Sequence, residues 1–93
     1  MENLEVKNNQ SKNQFEATLD GKTALIRYRK EADGTLDLFH TEVPDEFEGK
    51  GVGSQLVKDA LEQIKADDLK INPSCPFIAA YIKRHPEYQD LVK

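Results

Sequence analysis

The sequence contains few of the residues that stabilise small secreted or metal-binding domains. Among its 93 residues are one cysteine, two histidines and no tryptophan. One cysteine cannot form an internal disulfide bond, and with two histidines in no paired motif it does not favour a structural zinc site. No N-terminal stretch resembles a signal peptide. This composition predicts a reduced, cytoplasmic protein without a bound metal.

The chain also lacks an excess of basic charge and any long apolar run. Its 17 acidic residues outnumber its 13 basic ones, for a formal net charge of -4. Nucleic-acid binding needs a basic face, and a membrane-spanning helix needs a long uncharged apolar stretch. We therefore expect neither a nucleic acid nor a membrane as a partner.

The length of the chain leaves room for one folded unit. A chain of 93 residues cannot bury two separate cores, while a hydrophobic fraction of 38% is enough for one. We therefore predict a single domain over residues 1–93.

Alternating apolar residues predict three strands in the first half of the chain, over residues 14–19, 22–30 and 35–43. Asp20-Gly21 and Asp33-Gly34 separate them and are typical of tight reversals. The three strands should therefore form an antiparallel meander. Residues 4–7 are compatible with a further short strand, and residues 8–13 read as a loop.

The third predicted strand carries apolar groups on both faces. A period of two places Leu36, Leu38 and His40 on one face, and Phe39, Thr41 and Val43 on the other. A two-sided pattern predicts a central strand that is covered on each side. Pro44 should end this strand, because proline cannot donate to a ladder.

Glycines at every second position follow this strand. In the segment from Glu48 to Ser54 they are Gly49, Gly51 and Gly53. Glycine lets a ligand approach the backbone closely, and a helix that starts here presents unpaired N–H groups and a positive dipole end. A strand, a glycine-rich turn and a helix together predict an anion site, above all a phosphate site.

The spacing of these glycines excludes two common phosphate loops. A Walker loop needs the pair Lys-Ser/Thr after its last glycine, and no such pair follows Gly53. The dinucleotide fingerprint needs its last glycine three positions after the second one, whereas Gly53 lies two positions after Gly51. The pattern resembles the acyl-CoA loop of the GNAT N-acetyltransferases, Arg/Gln-x-x-Gly-x-Gly/Ala, with Glu48 in place of Arg or Gln. From the pattern alone, an exposed loop that caps an ordinary helix stays an alternative.

Apolar residues at helical spacing predict a first helix after the glycines, with a buried stripe formed by Val52, Leu56, Val57, Ala60, Leu61 and Ile64. Residues 69–71 then predict a short strand. Because a strand–helix–strand unit makes a right-handed crossover, this strand should run parallel to the third one.

A second helix should begin near Pro76, which suits the first turn of a helix and places Ser74 or Cys75 at the cap. The His85-Pro86 pair should end it, because the residue before proline avoids the α region. The apolar residues available to dock the tail are Tyr88, Leu91 and Val92.

Four sequence blocks occur in the order, and near the spacing, of the minimal acetyltransferase family. They are residues 40–44 (His-Thr-Glu-Val-Pro), the glycine loop, residues 73–77 (Pro-Ser-Cys-Pro-Phe) and residues 81–88 (Tyr-Ile-Lys-Arg-His-Pro-Glu-Tyr). The chain from residue 35 to 92 therefore resembles the small GNAT-like acetyltransferases. The resemblance implies an α+β, GNAT-like fold with a three-stranded antiparallel meander, a helix, a parallel strand and a second helix. Its mixed sheet would splay at the acyl-CoA cleft.

The resemblance also implies where acetyl-CoA would bind. Backbone N–H groups of the glycine loop would hold the pyrophosphate with added charge from Lys50, and backbone groups near residues 41–43 would pair with the pantetheine arm. From resemblance alone, the second-helix side chains Phe77, Tyr81 and Arg84 would lie near the CoA. The full predicted set is Thr41, Val43, Gly49, Lys50, Gly51, Val52, Gly53, Ser54, Phe77, Tyr81 and Arg84.

Two residues are candidates for catalysis. Histidine titrates near neutral pH, so His40 could serve as the base, or it could be a hydrogen-bonded histidine on the core face. Cys75 at a helix N-terminus could accept the acetyl group, protonate the departing CoA thiolate, or only line the pocket. Glu48 conflicts with a pyrophosphate site, because like charges repel.

The sequence therefore predicts an N-acetyltransferase that uses acetyl-CoA as co-substrate and acetylates a primary amine, small or protein-borne. A CoA-binding module without significant turnover is the alternative. A small interaction domain with no CoA site is the third reading.

Overall fold

The computed structural model describes residues 4–93, and within that range five strands form one sheet in the order β1-β2-β3-β4-β5. Their bounds are Lys7–Asn9 (β1), Gln14–Leu19 (β2), Lys22–Lys30 (β3), Leu36–Glu42 (β4) and Ile71–Asn72 (β5). Neighbours from β1 to β4 pair antiparallel, whereas β5 pairs parallel to β4. The predicted meander and the parallel direction of the strand after the first helix are both confirmed, although that strand begins at Ile71, two residues later than predicted.

Two helices and two short 3-10 turns complete the chain. Helix α1 spans Val52–Ala66 and helix α2 spans Pro76–Arg84, while the 3-10 turns cover Asp45–Phe47 and Pro86–Leu91. Helix α1 packs against β2 and β3, and α2 packs against α1 and β4. The apolar stripe predicted for the first helix is buried. In the part of the chain that the structure describes, no helix is long and apolar enough to span a membrane.

The first strand begins three residues later than predicted and ends two residues later. Asn8 and Asn9, which read as loop residues, belong to β1 and pair with β2. The Asn8 side-chain oxygen accepts a hydrogen bond from the Tyr28 hydroxyl at 2.7 Å, and the Asn9 amide donates to Glu16 at 3.1 Å. These contacts outweigh the low strand propensity of asparagine, which a local pattern cannot reveal.

The two helices cover one face of the sheet and leave the other accessible. The helix-facing side chains of β3, Ala24, Ile26 and Tyr28, are buried, whereas Arg27 is exposed on the opposite face. The third strand predicted from the sequence, residues 35–43, corresponds to β4, and on its open face His40 and Glu42 are exposed. The prediction that this strand is covered on both sides is therefore wrong. On the open face Phe39 is only half-buried, where the guanidinium of Arg29 lies 4.5 Å from its ring centre.

The C-terminal residues dock on the domain, as predicted for the tail. Tyr88 and Leu91 are buried, and the Tyr88 hydroxyl donates a 2.7 Å hydrogen bond to the Glu62 carboxylate on α1. Burial, with a further contribution from this carboxylate, raises the pKa of Tyr88 well above its ordinary value. The Lys93 amide donates to the Ile71 carbonyl at 3.0 Å, so the chain end extends the sheet beyond β5.

Candidate functional site

A cavity of about 480 Å³ lies between the end of β4 and the N-termini of α1 and α2. Strand, glycine loop and second helix all contribute to its wall. Its lining residues are Thr41, Val43, Phe47, Glu48, Gly49, Gly51, Val52, Gly53, Ser54, Cys75 and Phe77. Eight of the eleven predicted CoA-binding residues are among them.

The cavity opens where β4 and β5 separate. These strands pair only at Leu36↔Ile71 and Asp37↔Asn72. The Cys75 amide then donates to the Leu38 carbonyl at 2.9 Å, and within residues 4–93 no backbone bond continues this pairing further along β4. The edge of β4 that faces α2 is therefore open beside the cavity.

A β-bulge in β4 decides which side chains face this cavity. Leu38 pairs with Tyr28 and His40 pairs with Arg27, so Phe39 is an extra residue between two consecutive residues of β3. After the bulge Thr41 pairs with Ile26, which is fully buried on the helix side. Thr41 therefore lies on the helix-facing side.

The same bulge places His40 on the opposite face. The prediction that His40 shares a face with Leu36 and Leu38 is therefore wrong. His40 pairs across the strands with the exposed Arg27, and its Nε2 atom lies 3.2 Å from Oε2 of Glu42. It is not among the lining residues of the cavity. A role for His40 as a base stays a prediction, and this placement does not favour it.

The glycine loop forms the start of α1. Gly49 and Gly51 have φ values of 76° and 77°, in the left-handed region that side chains disfavour. Gly51 is the N-cap residue, and its carbonyl accepts the first helical hydrogen bond, from Gln55 at 3.0 Å. The amides of residues 52–54, which lie between Gly51 and Gln55, precede this first helical bond and so have no partner within the helix.

Gly53 has a different role, which is close packing. A Cβ atom at this position would lie 3.0 Å from Cζ of Phe77 and 3.4 Å from Cγ2 of Val43. Gly53 thus lies where strand, loop and second helix meet in the cavity wall. The Phe77 ring beside it is 40% exposed, unusually high for a large apolar residue.

Cys75, one of the two cap residues that the sequence predicted, occupies the N-cap position of α2, before Pro76 in the first turn. The residue is only 7% exposed but contributes to the cavity wall. Its Sγ atom lies 3.4 Å from Oγ1 of Thr41. Among the residues that the structure describes, its side chain caps no backbone N–H group of the helix.

Three of the predicted CoA-binding residues lie outside the cavity wall: Lys50, Tyr81 and Arg84. Tyr81 is buried, with its ring stacked on His85 at a centroid distance of 4.1 Å. Burial raises the pKa of Tyr81, and nearby carboxylates, led by that of Glu87, raise it further. Tyr81 thus belongs to the packing between α2 and the C-terminal turn, and Lys50 and Arg84 are exposed.

Phe47 is a lining residue that the sequence prediction missed. It lies at the end of the 3-10 turn, is 4% exposed, and its carbonyl accepts a hydrogen bond from the Lys50 amide at 3.2 Å. The signal was an isolated aromatic residue just before the glycines. Phe47 anchors the loop to the core and so fixes where the glycine amides lie.

A sequence profile of the family described as GCN5-related N-acetyl-transferase matches residues 14–91. The match covers the meander, the glycine loop and both helices. The chain therefore belongs to the GCN5-related N-acetyltransferase family, and its domain is an acetyltransferase domain of that family.

Relatives in vertebrates and a bacterial structure are similar over most of the chain. Protein NATD1 of Xenopus tropicalis is 35% identical over 85 residues, which cover 89% of this chain and 78% of that protein. Protein NATD1 of Homo sapiens is 34% identical, covering 89% and 75%. A GCN5-like protein from Staphylococcus aureus, solved by NMR, is 36% identical, with a TM-score of 0.72 and coverage of 100% of this chain and 91% of that one.

Proposed function

We propose that this protein binds acetyl-CoA in the cavity described above and transfers the acetyl group to a primary amine. One observation carries the proposal: the glycine loop at the start of α1, the open edge of β4 and Cys75 all border the same cavity. These three features are what an elongated ligand with a diphosphate, an amide-containing arm and a thioester requires.

The start of α1 suits a diphosphate. The first amides of a helix have no partner within it and lie at the positive end of its dipole. The glycines at 49 and 51 allow the turn, and Gly53 keeps side-chain atoms away from the wall. The exposed Lys50 in the same loop can add positive charge at the mouth.

The open edge of β4 suits the amide-containing arm of the CoA. Beyond Leu38, and within residues 4–93, the backbone of β4 makes no hydrogen bond on the side that faces β5. Thr41 and Val43, which follow on this strand, border the cavity. An extended ligand with peptide-like groups can pair with such an edge as an added strand would. This pairing would direct the thioester end towards Thr41 and Cys75.

The proposed reaction is the attack of an amine on the thioester carbonyl. A carbon–nitrogen bond forms, the carbon–sulfur bond breaks, and its electron pair stays on the CoA sulfur. We assign to the Cys75 thiol the donation of a proton to that sulfur, since Cys75 lines the cavity wall and contacts Thr41, where the open edge of β4 would direct the thioester. The surplus proton of the amine leaves to solvent, from which Cys75 is protonated again.

A second candidate function is acyl-CoA binding without significant turnover. Glu48 favours it, because this acidic residue lines the cavity where the family pattern has Arg or Gln. A negative charge there weakens the hold on a diphosphate and need not prevent binding.

Replacing Glu48 with arginine is expected to tighten acetyl-CoA binding about fivefold or more, because about 1 kcal/mol of repulsion is removed and a cation is added. Titration calorimetry measures the change. Asp67→Arg is the matched control, since it makes the same charge change at the other end of α1, and it should leave the affinity unaltered. Equal affinities for wild type and Glu48→Arg would show that the side chain does not reach the ligand.

The function is tested by acetyl-CoA binding and by CoA release on the same preparation. Acetyl-CoA at a hundredfold over its dissociation constant should stabilise the fold by about 2.7 kcal/mol. Thiol release is then followed with polyamines, amino acids and lysine-containing peptides. Binding with amine-dependent release supports the enzyme, and binding without release supports the acyl-CoA-binding module. An unchanged melting temperature would exclude both and leave the interaction domain.

A further inference from the structure

We propose that the Thr41 side chain is a positioning residue for the Cys75 thiol: its hydroxyl donates to the sulfur and holds the thiol towards the cavity. This inference rests on the proposed function, because it concerns the group that we assign to the chemistry there. It gives the side chain of Thr41 a role separate from that of its backbone.

The bulge in β4 makes this contact. Because Phe39 is an extra residue, Thr41 rather than His40 lies on the side of the sheet that faces α2. Its Oγ1 atom is 3.4 Å from Sγ of Cys75, within the range for a hydrogen bond to sulfur. The Cys75 amide is tied to β4 through the Leu38 carbonyl, so both ends of the contact are fixed to one strand.

The position of Cys75 in α2 makes this contact unusual. The Ser, Thr, Asp and Asn side chains that are preferred at an N-cap turn back to accept from the first amides of their own helix. Here the backbone carbonyl of Cys75 accepts from Ile78 and Ala79 at 3.1 Å and 3.0 Å. Its sulfur, in the chain that the structure describes, makes no such capping bond and lies against Thr41 instead.

The chemistry requires a donor at this place. A thiol that gives its proton to another sulfur becomes a thiolate, and a buried anion is stable only when hydrogen bonds compensate it. Cys75 is 7% exposed, so water solvates it poorly. The Thr41 hydroxyl would donate to the sulfur in both states, leaving the thiol proton free for the cavity and stabilising the charge after transfer.

The test is the pH profile of Cys75 alkylation by iodoacetamide, measured without acetyl-CoA on the whole protein. Because it is the sole cysteine, the signal comes from this site. Thr41→Val keeps the shape of the side chain and removes the hydroxyl. It should move the midpoint of the profile up by about one pH unit, so that the alkylation rate at a pH below the midpoint falls about tenfold. Thr41→Ser should restore the wild-type profile.

A matched control removes a threonine hydroxyl elsewhere. Thr23 lies on β3, where its Oγ1 is 2.9 Å from that of Thr18 at an exposed site. Thr23→Val should leave the alkylation profile unchanged. A profile that stays at the wild-type position in Thr41→Val overturns the proposal, whether or not the melting temperature falls, and so does a shift that Thr41→Ser fails to reverse.

Turnover provides a second readout. Thr41→Val should lower kcat while the KM for acetyl-CoA stays close to wild type, and Thr41→Ser should recover kcat. If acetyl-CoA does not bind the wild-type protein, the proposed function fails, yet the alkylation profile still reports on the Thr41–Cys75 contact. The two failures are therefore distinguishable.

Discussion

Replacing Cys75 with alanine is expected to lower kcat by about 100-fold or more, the usual contribution of a positioned acid or base. Acetyl-CoA affinity should stay close to wild type, because the glycine loop and the edge of β4 are untouched. The fold should also be retained, since the sulfur caps no amide of α2 within residues 4–93. A steady-state assay of CoA release, with calorimetry for binding, measures both quantities.

A serine at the same position distinguishes a chemical role of the Cys75 thiol from a role in which the side chain only lines the cavity. Cys75→Ser keeps nearly the same shape but has a far less acidic proton, so it should lose nearly as much turnover as alanine. Retained turnover in either variant would reduce Cys75 to a lining residue. A mass increase of one acetyl group on the wild-type chain during turnover would instead indicate a covalent route. His40→Gln in the same assay tests the base prediction.

Replacing Gly53 with valine is expected to weaken acetyl-CoA binding by about 10- to 100-fold, the equivalent of the 1–3 kcal/mol that overpacking costs. Even a Cβ atom at this position lies 3.0 Å from the Phe77 ring, and the two further methyl groups would enter the cavity between that ring and Val43. Helix α1 should still form, as valine costs little at one helical position. Titration calorimetry measures the affinity.

The matched variants are Gly53→Ala and the double variant Gly53→Val/Phe77→Ala. Alanine favours the helix by up to about 1 kcal/mol and meets only the end of a half-exposed ring that can shift, so it should bind nearly as well as wild type. The double variant makes room and should regain part of the lost affinity. Wild-type binding by Gly53→Val would mean that the ligand lies elsewhere.

Much of the fold could be read from local sequence signals. Turn dipeptides at 20–21 and 33–34 separate strands with clear alternation, and the helix stripe begins at the glycines. Each of these signals is short-range, and the strands and the helix predicted from them are confirmed. The strand at Lys7–Asn9 was misplaced because its asparagines are held by Tyr28 and Glu16, which are distant in sequence.

The candidate site could be predicted only in part. The glycine loop could be located from its three alternate glycines between a predicted strand and a predicted helix, and the other three sequence blocks distinguished it from an ordinary helix cap. The orientation of His40 and Thr41 could not be predicted, since a period of two fails at a bulge and nothing in residues 36–43 marks one. The position of Tyr81 depends on how the C-terminal turn packs, which periodicity does not describe.

The extra residue at position 39 divides β4 into two halves of opposite phase. Upstream, even-numbered positions point towards the helices; downstream, odd-numbered ones do. A relative that has one residue more or fewer between Leu36 and Pro44 would therefore present a different alternate set to the cleft, even with an unchanged His-Thr-Glu-Val-Pro block. Roles can be carried from one chain to another along this strand only when that count is the same.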